Sequence, residues 1–354
     1  MVRILVSKKL KLGVVGLVHD HVWGLLQQFR EISVVEIKAV ADPNQELIDR
    51  VIDMFGIKEK YHNYGEMLAK AELDAILLCN ENARHADVVE IAAEKGIHVM
   101  MEKPMAATLA QADRILRAEN NYGIKVMVNY PTAWNPAIRH AHKLVNEGKI
   151  GNIFHMKYRG AHAGPKEVGC SPYFYDWLYN IELNGGGALM DYCCYGVNLS
   201  LWFLNKRPSR VMAYAANLAR KYIDVEDNAV VLMDFVDAVG IAEGCWSQIG
   251  PYPDSGPVIN GSEGSIMITG DKKIHLFTLK RKNDYKDINY TIIDPDPLPL
   301  GMRTGPEYLV NKILNDEKID PPLNAKFNRD VQEVLEAAIR ATRKSSYVSL
   351  PLAD

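Results

Sequence analysis

Through its first 130 residues the chain alternates short apolar runs with longer stretches of helical period. "LGVVG" (12–16), "VEIKAVAD" (35–42), "LDAILLC" (73–79), "IHVMME" (97–102) and "IKVMVNY" (124–130) are rich in Val, Ile and Leu. Each ends at a polar or turn residue, and runs of this kind read as strands buried on both faces. Between them, "ARHADVVEIAAEKG" (83–96) and "TLAQADRILRAENNYG" (108–123) repeat apolar residues at helical spacing and end on glycine. Thr108 stands where the second of these helices needs an N-cap. Strand and helix in alternation predict an α/β Rossmann domain, a doubly wound parallel sheet, over 1–130. Its ligands belong outside the carboxyl ends of the strands.

Beyond residue 130 the period changes. A helix is expected over about 135–147, a strand over 152–162, and alternating strands over 209–295 with a hairpin at 229–246. A glycine-led helix, "GGGALMDYCCYGVNLSLWFL" (185–204), interrupts these strands, and a well-patterned helix over 329–345 closes the chain. The pattern predicts an α+β domain over 131–354 with a large, mainly antiparallel sheet.

Composition narrows the class. The net charge of -3 is spread without a basic run, so nucleic acid is not an expected partner. No stretch of eighteen apolar residues is present to span a bilayer. Lysines among the first fifteen residues break up the apolar core that a secretory leader needs. Five cysteines, with no C-x-x-C pair and with Cys193 and Cys194 adjacent, do not make a disulfide framework. A reducing, cytoplasmic setting is the expectation.

The loop "LGVVGLVHDHVWG" has two readings. Gly16 occupies the first glycine of a G-x-G-x-x-G turn, but Val18 and His21 replace the next two. As a dinucleotide loop, Gly16, Val18, His19, Asp20 and His21 would surround a pyrophosphate at a helix N-terminus. Asp42, ending the second strand, would accept from both ribose hydroxyls and repel a 2'-phosphate, favouring NAD over NADP. Asp42 is equally a turn residue before Pro43. In the other reading His19 and His21 begin a metal site of the kind barrel hydrolases build at strand ends. No H-x-x-x-H or H-x-x-E pattern supplies further ligands, and no metal is expected.

Two segments carry candidate chemistry. "MEKPMA" (101–106) sets Lys103 at a strand's carboxyl end, where an ammonium stabilises a developing alkoxide, and Pro104 holds it out of helical geometry. "GGGALMDYCCYG" spaces Asp191 and Tyr195 four apart, on one helical face, behind glycines that permit close approach.

Together with "VADPN" (40–44), "ARHADVVEIAAEKGIHVMMEKPMA" (83–106) and "NEGKIGNI" (146–153), these segments resemble the Gfo/Idh/MocA oxidoreductases over nearly the whole chain. The resemblance implies an NAD(P)-binding first domain and a second domain for substrate binding and oligomerisation. The sheet face of that second domain would form a homodimer or homotetramer, and the last helix would pack near the first domain. It implies that Lys103 touches nicotinamide ribose and substrate, and that Asp191 binds the reacting sugar. Tyr195 falls where most members carry a catalytic histidine and some a tyrosine. Asn80, His85 and Glu102 fall near the cofactor.

A phenol, with its ordinary pKa near ~10, is a poor base. A nearby ammonium and a cationic nicotinamide would favour the tyrosinate, so Tyr195 is read as acid/base, Lys103 as its electrostatic partner and Asp191 as the substrate's orienter. Tyr130 and Trp134 at the domain junction, Tyr175 and Trp177 in "GCSPYFYDWLY" (169–179), and His162 are candidate walls of a sugar pocket. Core packing explains each aromatic equally well. The expected protein is an NAD-dependent oxidoreductase of a sugar, polyol or related cyclic alcohol. The alternatives are an NADP-dependent reductase or dihydrodiol-type dehydrogenase, and a catalytically silent NAD(H)-binding sensor.

Overall fold

The computed structural model describes residues 9–250, 256–281 and 283–353; of the lysines read against a leader, Lys8 lies outside them. The first part contains strands β1 (Leu10–Val15), β2 (Val35–Ala41), β3 (Glu59–Tyr61), β4 (Ala75–Leu78), β5 (His98–Glu102) and β6 (Val126–Asn129). Helices α1 (His21–Arg30), α2 (Gln45–Phe55), α3 (Tyr64–Lys70), α4 (His85–Glu94) and α5 (Leu109–Tyr122) connect them. The sheet is parallel, in the order β3-β2-β1-β4-β5-β6. All four residues of β4 are buried, because helices cover both faces. The chain leaves β1 toward β2 and returns to β4 on its other side. The crevice where ligands bind such sheets therefore opens at the carboxyl ends of β1 and β4. Thr108 caps α5 in a reciprocal capping box with Gln111, and Gly123 ends it at φ 67.

The second part runs through α6 (Pro136–Asn146), β7 (Ile153–Ala161), α7 (Pro172–Leu178), α8 (Ile181–Asn184) and α9 (Cys194–Leu204). Then come β8 (Arg210–Ala216), β9 (Asn228–Asp234), β10 (Val239–Cys245), β11 (Val258–Gly261), β12 (Gly264–Ile268), β13 (Ile274–Leu279) and β14 (Ile288–Ile293). The last elements are α10 (Gly305–Leu314), α11 (Ala325–Lys344) and β15 (Val348–Ser349). Nine strands form one sheet in the order β14-β13-β12-β11-β7-β10-β9-β8-β15. It is antiparallel except where β7 lies beside β10. Helix α9 packs across that parallel pair. A Cβ on Gly196 would come 2.5 Å from Ala242, so glycine there lets the helix reach the sheet. The last helix ties the two sheets together. Arg329 pairs with Asp113 of α5 at 2.7 Å, and Asn324 bridges Met127 of β6.

All five cysteines are free. Among the described residues no helix is long and apolar enough to cross a membrane.

Candidate active site

Lys103 ends the β5 connection, and its peptide to Pro104 is cis. The side chain is 4% exposed, and its Nζ donates to Asp191 Oδ1 at 2.5 Å and to the Asp191 carbonyl at 3.1 Å. Asp191 Oδ2 accepts from Trp246 Nε1 at 3.1 Å. Burial disfavours both charges, but each group supplies the other's counter-charge. Burial pulls Lys103 down, and the carboxylate more than compensates, holding it above the usual lysine range. Burial pushes Asp191 up, and the ammonium outweighs that, holding it below the usual carboxylate range. The result is a buried, fully ionised pair at a strand's carboxyl end.

Asp191 lies in one wide turn of π-helix, Leu189–Cys193, that precedes α9. The extra residue in that turn brings Tyr192 as well as Tyr195 to the same side. Their ring centres are 5.9 Å apart, and Lys103 Nζ lies 5.9 Å and 4.9 Å from them respectively. The ammonium thus faces the π-cloud of Tyr195. Burial pushes that phenol well above its ordinary value, with Cys194, Tyr192 and Asp191 adding to the effect. Burial thus favours the neutral phenol at Tyr195, against the pull toward tyrosinate expected of a cationic nicotinamide and Lys103.

Tyr195 does border open space, a cavity of about 390 Å³ that also touches Thr132, Asn135, Tyr158, Tyr192 and Lys272. Tyr130 and Trp134 do not line it. Tyr130 is fully buried edge-on to Tyr195, and Trp134 donates to Asn129 Oδ1 at 2.9 Å. Tyr175 stacks on Tyr179, and Trp177 packs against His19. His162 stands edge-on to Tyr192, with Nδ1 accepting from the Gly164 N–H at 2.8 Å. Its neutral ring therefore carries the proton on Nε2, and burial holds its pKa low.

Tyr158, Tyr192, Thr132, Asn135 and Trp246 were missed from sequence. The parity of β7 held a signal for two of them. Met156, Tyr158 and Gly160 share one face, and the missing side chain of Gly160 leaves the space that the Tyr192 ring fills.

A second cavity, about 270 Å³, lies over the ends of β1, β2 and β4 and is lined by Gly16, Val18, Asp42, Asn44, His62, Asn80 and Arg84. Its floor suits a dinucleotide. Gly16 has φ +80, and a Cβ there would stand 2.6 Å from the Asn80 backbone nitrogen. The buried Asn80 Oδ1 has no hydrogen-bond partner. Asp42 is more occupied than expected. Oδ2 accepts from Leu17 N–H, and Oδ1 accepts from the backbone and side chain of Asn44. Three of about four acceptor positions are filled, leaving room for one ribose hydroxyl rather than two.

The other loop residues turn away from this cavity. Asp20 accepts from Ser171 N and Oγ, both at 2.6 Å, fastening α7 to the loop. His19 is 1% exposed, its ring centre 4.3 Å from that of Phe174. His85, fully buried, faces the Met105 carbonyl through Nδ1 at 3.1 Å, and its Nε2 has no partner.

His21 Nδ1 lies 3.1 Å from Glu102 Oε2, and Asn129 donates to Glu102 Oε1 at 2.9 Å. Burial alone would raise this carboxyl; the two histidines and Asn129 pull it down to about 2. One ligand atom from each of His19, His21 and Glu102 falls within 4.8 Å of the others. In this arrangement the histidine rings face Glu102 as hydrogen-bonding groups, with His19 held neutral by burial. His19 Nδ1 accepts from the His21 N–H, which leaves the proton on Nε2, the atom facing Glu102 at 3.8 Å. His21 opens α1, and the positive end of a helix dipole repels a metal ion.

Residues 10–130 match the family model described as the oxidoreductase family with an NAD-binding Rossmann fold, and 138–267 match the GFO/IDH/MocA C-terminal domain. D-xylose 1-dehydrogenase [NADP(+)] of Haloarcula marismortui is 29% identical over 59% of this chain and 57% of its own length. D-apiose dehydrogenase of Paraburkholderia graminis is 32% identical over 38% of this chain and 35% of its own. Both alignments thus span less than two thirds of the relative. A solved levoglucosan dehydrogenase, in complex with NADH and levoglucosan, shares the fold at TM-score 0.81 and 21% identity, covering 97% of this chain and 100% of that one. With both halves matched in order, the chain belongs to the Gfo/Idh/MocA oxidoreductase family.

Proposed function

We propose that this protein is an NAD-dependent oxidoreductase acting on a secondary alcohol of a sugar, polyol or related cyclic alcohol. The observation that carries the reading is the buried Lys103–Asp191 pair at the end of β5, beside a tyrosine that borders an open cavity. Bound nicotinamide supplies the hydride acceptor or donor. The chain's part is electrostatic and protic. Lys103 stabilises negative charge developing on the substrate oxygen, because a buried ammonium is worth more there than one in water. Asp191 fixes Lys103 and offers a carboxylate to a substrate hydroxyl. Tyr195, neutral at rest, donates its proton to that oxygen in the reducing direction and recovers one in the oxidising direction.

Asp42 in the wall of the smaller cavity favours NAD. A second cofactor reading has its own support, since His62 and Arg84 line the same cavity and would meet a 2'-phosphate with cationic or donor groups. The face of the nine-stranded sheet opposite the helices is assigned to self-association.

Titration of nicotinamide fluorescence with NADH and NADPH, followed by NAD+ and NADP+ reduction over aldoses and inositols, tests the assignment. Tighter binding of NADH, turnover, and loss of turnover without loss of cofactor binding in Tyr195→Phe and Lys103→Met are expected. Removing a transition-state donor is expected to cost about 100-fold or more in kcat. Near-normal turnover in Tyr195→Phe would remove it from the proton path, and cofactor binding without turnover on any substrate would leave a sensor.

A further inference from the structure

The segment that carries α7 and α8 crosses the crevice at the carboxyl ends of β1 and β4. At one end Ser171 donates to Asp20 from its backbone and its hydroxyl. Beside it the Tyr173 hydroxyl donates to Glu46 Oε2, in the first turn of α2, at 2.7 Å. Midway, Trp177 Nε1 donates to the Val18 carbonyl at 3.4 Å, and the buried Phe174 and Trp177 rings pack on His19. At the far end Asn184 Oδ1 accepts from Asn82 Nδ2 at 2.7 Å, in the loop that follows β4.

The two ends are built differently. Asn82 and Asn184 are fully buried, and the Asn184 amide also donates to the carbonyls of Leu178 and Gly186, at 3.1 Å and 2.6 Å. That end is an anchor, because parting it strands buried polar groups. The other end is polar, and Asp20, Ser171 and Tyr173 are only half-buried, so water can take over each bond. Gly169, just before it, holds φ 86 with open space around it, which gives the chain room to swing there. That end is a latch.

A dinucleotide that meets Asp42 with its adenosine ribose and Lys103 with its nicotinamide passes Val18 and His19 between them. Those are the residues that α7 packs on, and His19 and Lys103 are both buried beneath their neighbours. We infer that α7 is a strap over the cofactor. It pivots on the Asn82–Asn184 anchor, lifts at Ser171 and Tyr173 to admit the dinucleotide, and closes on it, so that cofactor release waits on the latch. The inference rests on the oxidoreductase reading for the identity of the ligand; the anchor and the latch stand on the contacts alone.

The test uses the full chain and needs no substrate. Stopped-flow fluorescence of bound NADH, chased with excess NAD+, reads release. Ser171→Ala combined with Tyr173→Phe removes two hydrogen bonds to carboxylates and keeps every aromatic ring of α7. That variant is expected to release NADH about tenfold or more faster, the factor that one charge-assisted hydrogen bond is worth. Hydrogen exchange reads the strap itself. In the free chain the amides of residues 173–179 are expected to exchange faster in the variant than in the parent, with those of α5 unchanged as the check on folding. Adding NADH to the parent is expected to slow them. Release at one rate from parent and variant, or exchange in α7 that NADH does not slow, overturns the strap and leaves the oxidoreductase reading standing. A parent chain that binds neither NADH nor NADPH overturns that reading, and the strap with it.

Discussion

Lys103 and Asp191 are expensive to hold charged out of water, and neither is placed to find solvent if the other is lost. Removing one partner of a buried pair leaves an uncompensated charge, at about 3–5 kcal/mol. In Asp191→Ala the Trp246 N–H also loses its acceptor. That variant is expected to unfold at clearly lower urea, with a loss of stability in that range. A Lys103→Met, Asp191→Leu double variant, with both charges gone, is expected to recover most of the loss but no turnover. Urea titrations followed by tryptophan fluorescence compare the three. Equal stability of the single and double variants would mean that charge pairing is not what the site stores. Tyr195 illustrates a different limit of residue-level reading. Its presence near Lys103 followed from spacing, but the burial of its ring does not follow from spacing, and that burial is what favours the neutral phenol.

At the scale of elements, what the sequence revealed is what local period encodes. The runs at β1, β2, β4, β5 and β6, the capped α5 and the hairpin of β9 and β10 all lie where apolar pattern and turn residues put them. Strand β3 is three residues, "EKY", with no apolar run to mark it, and exists because β2 has an open edge to pair with. The wide turn at Leu189–Cys193 escaped for a related reason. Asp191 and Tyr195 look four apart on a regular helix, and only tertiary contact selects the inserted residue that turns Tyr192 inward. The α7 aromatics looked like a sugar platform because composition does not say which surface a side chain meets. Contact with His19 and Val18 decided it.

Helix α4 carries a pH signature of its own. His85, at its head, is held at about 4 by burial, against an ordinary 6.5. His142 in α6 is likewise pushed to about 4, chiefly by burial. A histidine whose folded pKa is depressed contributes nothing unfavourable above 6.5. Below that value the unfolded chain takes up a proton that the native one refuses. Stability is therefore expected to fall as pH drops from about 6.5 toward 4, with His85 alone supplying up to about 3 kcal/mol of the loss. Unfolding free energies at pH 7 and pH 5 measure it. His85→Asn, which retains a donor for the Met105 carbonyl, is expected to flatten the slope; an unchanged slope would show that His85 titrates normally.

At the scale of the whole molecule, no described residues cover one face of the nine-stranded sheet. Helices α9 and α11 take the inner side, and Val211, Ala229, Val231 and Met233 are buried against them. The alternate residues Met212, Tyr214, Val230 and Leu232 point outward with 47%, 63%, 36% and 39% of their surface exposed. The register sets Met212 opposite Leu232 and Tyr214 opposite Val230, so the four form one patch across β8 and β9. A patch of this kind on a central sheet normally marks an interface, because separate apolar residues scatter and these do not. Beside it, Glu243 of β10 pairs with Lys157 and Arg159 of β7. This gives an apolar area with a charged margin, as interfaces between copies commonly have. The chain is therefore expected to sediment as a dimer or tetramer at micromolar concentration. Leu232→Arg combined with Tyr214→Asp places charges in the middle of the patch, away from Lys103 and both cavities. That variant is expected to sediment as a monomer with its fold intact by circular dichroism. An unchanged mass would move the interface elsewhere, and a monomeric parent chain at every concentration would leave the patch to another partner.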